Sequence, residues 1–86
     1  MMDINYELYK VFYHVATTLN FSEASKQLFI SQSAVSQSIK TLERKLDQTL
    51  FIRSTKKVQL TPEGEILLRH IEPAMNLIQK GRGTAS

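Results

Sequence analysis

Between Phe21 and Leu46 the apolar spacing of an amphipathic helix begins, stops for three residues and begins again, so a helix-turn-helix over residues 21–40 is the simplest fold these residues can form. Ser22 is predicted as the N-cap of a short helix in which Ala24 and Leu28 lie one turn apart, with Phe21 as a hydrophobic staple. Phe29-Ile30-Ser31 breaks the period, and Ser31 is a fresh N-cap for a third helix running to about Leu46. In that helix Val35, Ile39, Leu42 and Leu46 recur on one side, while Ser33, Ser36, Gln37, Lys40 and Arg44 gather on the other. The outward stripe contains no carboxylate, and Glu43 and Asp47 lie off it.

The flanking segments complete a small domain. Leu8, Val11, Phe12, Val15, Ala16 and Leu19 predict a first helix, capped by Asn5 or Asp3 and closed by Asn20 in the left-handed conformation. Leu50–Arg53 and Val58–Leu60 are short β-prone runs joined by the cationic link 54–57, which predicts a two-stranded ribbon. Thr61-Pro62-Glu63 reads as N-cap, first-position proline and first-turn acid of a fourth helix, with Pro73 expected to kink it. After Lys80 the tail 81–86 has no apolar anchor and is expected to be flexible.

Composition narrows the chemistry. Eighty-six residues with 11 Lys and Arg against 8 Asp and Glu, net +3, make one domain with a modest core and no deep cleft between lobes. The absence of Cys removes disulfides, thiolate zinc ligation and thiol catalysis. His14 and His70 are far apart and have no partner at metal-ligand spacing, and no nucleophile or glycine-rich phosphate loop accompanies them. Glu63 and Glu65 suit the dipole of the fourth helix better than acid–base work. An enzyme therefore has no constellation behind it, and no cofactor is implied. No apolar stretch approaches the roughly 18 residues that span a bilayer, and the first residues lack the layout of a signal peptide, so a cytoplasmic location without membrane contact is expected.

A helix fits the major groove of duplex DNA, where amide and hydroxyl side chains bond to base edges; Gln32, Ser33, Ser36 and Gln37 are such side chains. Lys40, one turn on, reaches guanine or a phosphate, and Ser22 and Ser31 mark helix N-termini whose free N–H groups suit phosphate. Any one of these residues taken alone is better explained as solvated; the acid-free set after a helix and a three-residue turn is the stronger signal. In the ribbon, Arg53, Lys56 and Lys57 suit the DNA backbone or minor groove, although lysines also guard short edge strands against pairing. Tyr6, Tyr9 and Tyr13 form a second stripe on the first helix, which either rims the core or meets a partner. Leu67, Leu68, Ile71, Met75 and Ile78 exceed what one packing face needs and are candidates for pairing with a second copy. A winged helix that assembles with protein alone, or a basic surface on membranes, is the competing reading; the spread of the cations and the small net charge disfavour the latter.

The series Phe21-Ser-Glu-Ala-Ser-Lys-Gln-Leu28, Ser31-Gln-Ser-Ala-Val-Ser36, Ile39-Lys-Thr-Leu-Glu43, Leu50-Phe-Ile-Arg53 and Leu60-Thr-Pro-Glu-Gly64 resembles the N-terminal DNA-binding domain of LysR-type transcriptional regulators, over residues 4 to about 66. The resemblance implies a mainly α fold: a winged helix-turn-helix of three helices and a two-stranded β wing over residues 4–61, then a linker and dimerisation helix over 62–80. It implies a homodimer on double-stranded DNA at an inverted-repeat site, with Gln32, Ser33, Ser36 and Gln37 at base-reading positions, Arg53 in the wing and Lys40 on phosphate. A small-molecule effector would act only through a further domain, expected outside these 86 residues. Three positions depart from the family pattern: Ala24-Ser25 replaces Ala-Ala, Asp47 replaces glycine and Asn20 replaces serine. Asp47 must then adopt a left-handed conformation easier for glycine.

Overall fold

The computed structural model describes the backbone of residues 5–84 and the side chains of residues 5–78. The elements follow in the order α1 (Tyr6–Thr18), α2 (Phe21–Leu28), α3 (Gln32–Leu46), β1 (Phe51–Arg53), β2 (Val58–Leu60) and α4 (Pro62–Thr84), a winged helix-turn-helix with a long terminal helix. None of the described helices is long and apolar enough to cross a membrane.

Local chemistry sets the boundaries. Asn5 caps α1 by accepting the Glu7 N–H at 3.0 Å; the alternative cap, Asp3, and Ile4, the expected first residue of the domain, lie outside the described residues. The expected closure by Asn20 and the expected cap at Ser22 are both corrected. Leu19 takes the left-handed conformation (φ 51) and its N–H bonds Val15 O, while extended Asn20 caps α2 by accepting the Glu23 N–H at 2.9 Å. One residue cannot be left-handed and extended at once, so Asn20 serves the following helix and the left-handed position falls on the residue before it. Ser22 is therefore inside the first turn of α2, and Phe21 is a helical residue rather than a staple ahead of the cap.

At the end of α2, Phe29 is left-handed (φ 58); its N–H bonds Lys26 O and the Ile30 N–H bonds Ser25 O. At the end of α3, Asp47 (φ 54) repeats this arrangement, with its own N–H on Arg44 O and the Gln48 N–H on Glu43 O, as the departure from glycine required.

The core lies where α1, α2 and α3 meet and the ribbon closes over them. Phe12, Val15, Val35, Leu42 and Leu50 have almost no exposed surface, and burying each such side chain contributes about 1.5–3 kcal/mol. Phe51 from β1 joins this cluster, its ring 5.3 Å from Phe12. The ribbon is antiparallel, with Phe51 opposite Leu60, Ile52 opposite Gln59 and Arg53 opposite Val58. Leu50, expected to open the ribbon, precedes the ladder, and its N–H is taken by the Glu43 carboxylate at 2.8 Å.

The start of α4 is bolted to the ribbon. The buried Thr61 hydroxyl donates to Thr49 O at 2.6 Å and accepts the Gly64 N–H at 3.0 Å, and the Thr61 N–H donates to Leu50 O. The expected limits of this helix, 62–80, need correction: it continues to Thr84 and runs unbroken through Pro73. Gly81 and Gly83 each disfavour a helix by only about 1 kcal/mol and no proline follows them, so the flexible tail expected for 81–86 is helical up to Thr84; residues 85 and 86 lie outside the described residues.

Gly64 is held by close approach. A Cβ there would stand 2.3 Å from Leu50 O and 2.8 Å from a Leu60 methyl. Gly64→Ala is expected to destabilise the domain by about 1–3 kcal/mol, the usual cost of overpacking, read as a lower midpoint in urea unfolding followed by helical circular dichroism.

Candidate nucleic-acid interface

The outward side of α3 is aimed by the inward side. With Val35, Ile39 and Leu42 buried, the helix cannot rotate, and Gln32, Ser33, Gln37 and Lys40 stand exposed with Ser36 half-buried. Ser31 begins the helix as expected, its Oγ accepting the Ala34 N–H at 3.0 Å. That bond leaves the N–H groups of Gln32 and Ser33 at the helix start, where the dipole favours an anion.

Gln32, Ser33, Ser36, Gln37 and Lys40 line one open concavity of about 430 Å³, and its far wall is Arg53 at the end of β1. No lining residue is acidic. The concavity offers amide and hydroxyl groups that donate and accept, plus two cations, a set complementary to base edges beside an anionic phosphate backbone.

The other expected contacts do not line this concavity. Ser22 is exposed in the first turn of α2, and Lys56 and Lys57 are exposed at the ribbon tip. Ser54 organises that tip: its N–H and hydroxyl both bond Lys57 O, and its oxygen also accepts the Lys57 N–H at 3.1 Å. Beyond Lys40, the same side of α3 continues into a second concavity of mixed charge that includes Arg44, Gln48 and Thr49.

Two contributors were not visible in the sequence pattern. Glu43 Oε2 accepts the N–H groups of Leu50 and Phe51 at 2.8 and 3.3 Å, fixing the ribbon to α3; its position off the outward stripe was the only available sign. Phe21 lies under Arg53, with the guanidinium carbon 4.0 Å from the ring centroid. The histidines serve the scaffold: the His14 ring pairs with the Gln27 side chain at 2.8 Å, and the His70 ring with Ile66 O at 2.8 Å. Among the described residues no three of His, Cys, Asp or Glu are grouped to hold a metal ion.

The expected pairing residues divide between two situations. Leu67, Leu68 and Ile71 are half-buried against the core and Met75 is buried, so much of that stripe is already covered within the chain. Tyr6 and Ile78 remain exposed, Tyr9 and Tyr13 partly so. Tyr6, Tyr9, Leu67, Ile71, Ala74, Met75 and Ile78 line an apolar groove of about 340 Å³ between α1 and α4, while Ile66 and Leu77, absent from the expected set, are exposed on α4.

Comparison with known proteins gives a consistent picture. Residues 6–65 match the family described as "Bacterial regulatory helix-turn-helix protein, lysR family". The HTH-type transcriptional regulator PerR of Escherichia coli (strain K12) is 45% identical over 74 residues, which is 86% of this chain and 25% of PerR. HdfR of Yersinia enterocolitica, also an HTH-type transcriptional regulator, is 42% identical over 73 residues, 85% of this chain and 25% of HdfR. The chain thus spans about a quarter of the length of these relatives. Among solved structures, oxidized OxyR of Corynebacterium glutamicum superposes with a TM-score of 0.88 at 30% identity, covering 99% of this chain and 28% of OxyR. Full-length CbnR complexed with its target DNA superposes with a TM-score of 0.81 at 26% identity, covering 95% of this chain and 28% of CbnR.

The cap at Ser31 supports the start of the interface. Ser31→Ala is expected to cost about 1 kcal/mol of stability and to speed hydrogen exchange at the Ala34 amide more than at the Leu42 amide, measured residue by residue.

Proposed function

The chain belongs to the lysR family of bacterial regulatory helix-turn-helix proteins, and on that premise we propose that it binds double-stranded DNA sequence-specifically, with α3 in the major groove, as a homodimer on an inverted-repeat site. One observation carries this reading: the acid-free concavity that gathers five polar residues of α3 and the ribbon's Arg53 around a single space. Gln32, Ser33, Ser36 and Gln37 read base edges, with glutamine suited to the N6 and N7 of adenine. Lys40 and Arg53 flank them on phosphate or in the minor groove, and Ser22, Ser31, Lys56 and Lys57 add backbone contacts that set register without reading sequence.

Transcriptional control by the whole protein follows from the same reading, with a small-molecule effector acting through a domain outside this chain. CbnR, part of which is similar to this chain, has been solved in complex with its target DNA, and that likeness supports the reading. The tested quantity is the contrast between two substitutions. Gln32→Ala is expected to cost about 1–3 kcal/mol on a duplex selected from a random pool and to relax base preference there, whereas Lys56→Ala weakens selected and scrambled duplexes alike and lowers the salt slope by about 1. Equal losses on both duplexes for Gln32→Ala refute its base-reading role.

A second copy is proposed to cover the groove between α1 and α4, where Tyr6 and Ile78 leave apolar surface in water. Two α3 helices then enter successive major grooves, about 34 Å apart along the duplex. Ile78→Glu is expected to convert the dimer to a folded monomer in sedimentation velocity, and to weaken binding to a full inverted repeat far more than to a half-site.

A further inference from the structure

We propose that Phe21, through the face of its ring, is the positioning residue that aims Arg53 into the interface, so that α2 as well as α3 governs how duplex is held. The proposal rests on the duplex-binding reading above. The Arg53 guanidinium carbon stands 4.0 Å from the centre of the Phe21 ring, well inside the roughly 6 Å over which a cation is drawn to an aromatic face. A guanidinium stacked in this way keeps its in-plane N–H donors at the edges, free for phosphate or base oxygens.

The ring that supports it is packed into the core. Phe21 is the first residue of α2, held by the Asn20 cap, and is 5% exposed. Its ring meets Phe51 edge-on at 6.2 Å, and Phe51 packs on the fully buried Phe12 at 5.3 Å. Arg53 is exposed and ends its strand, so without a support its side chain would sample many rotamers and lose them on binding. The aromatic series Phe12, Phe51 and Phe21 thus links the core to a single wing cation. Phe21 is too buried to meet duplex itself, and its contribution passes through Arg53.

A double-mutant cycle on the 86-residue chain tests this, read by fluorescence anisotropy on a duplex selected from a random pool and on its scrambled counterpart. Phe21→Met keeps apolar bulk and removes the ring face. It is expected to weaken binding about two- to fivefold when Arg53 is present, the scale of an exposed cation–π contact, and to have no further effect in an Arg53→Ala background. Incorporation of 4-fluorophenylalanine at position 21, nearly identical in shape but weaker at the ring face, is expected to give a smaller loss with the same dependence on Arg53. The Arg53 side-chain proton resonances are expected upfield in the wild type and to move downfield in Phe21→Met. Equal losses with and without Arg53, or Arg53 resonances indifferent to the ring, overturn the positioning role while leaving duplex binding intact. A wild-type chain that binds neither duplex at low salt overturns both.

Discussion

A helix presents two opposite sides, and fixing one aims the other. Val35, Ile39 and Leu42 are sealed against α1 and α2, so α3 has no rotational freedom and its polar side stands where a ligand can meet it. The orientation of Gln32, Gln37 and Lys40 is therefore a consequence of apolar burial on the far side of the same helix, and no polar contact of their own is required to hold it.

The ribbon is registered to this helix by polar bonds where apolar area is small. Three-residue strands bury little, and an isolated hairpin of that length is unstable in water. Glu43 compensates by accepting two N–H groups at the entrance to β1, and Thr61 ties the exit of β2 to Thr49 and to the first turn of α4. Arg53 consequently faces α3 across one concavity, although thirteen positions separate it from Lys40 in the sequence.

Periodicity exposed most of this in advance. The apolar spacing of Val35, Ile39 and Leu42 gave the inward side of α3 and hence the outward one, Ser31 announced its start, and Thr61-Pro62 announced α4. The boundary between α1 and α2 was misplaced because Asn20 suits both a left-handed closure and an N-cap, and in the fold Leu19 takes the first role and Asn20 the second. The support of Arg53 by Phe21 and the clamp by Glu43 were illegible, since each joins residues brought together by the fold alone and leaves no period in the chain. The end of α4 was missed for a different reason: the lack of an apolar anchor after Lys80 suggested a stop, but the helix continues to Thr84 without one, and the local preference of Gly81 and Gly83 against it is weak.

The fourth helix has one further property. Its first turn is locked by Thr61 and by the close approach of Gly64 to Leu50, and no loop intervenes before Met75 and Ile78. Each residue therefore inherits its compass bearing from that lock at about 100° per step. A single inserted residue, which a surface loop would absorb, would here swing Ile78 away from Tyr6 and turn the ridge toward a different quarter, so spacing in this segment is as much a part of its code as hydrophobicity.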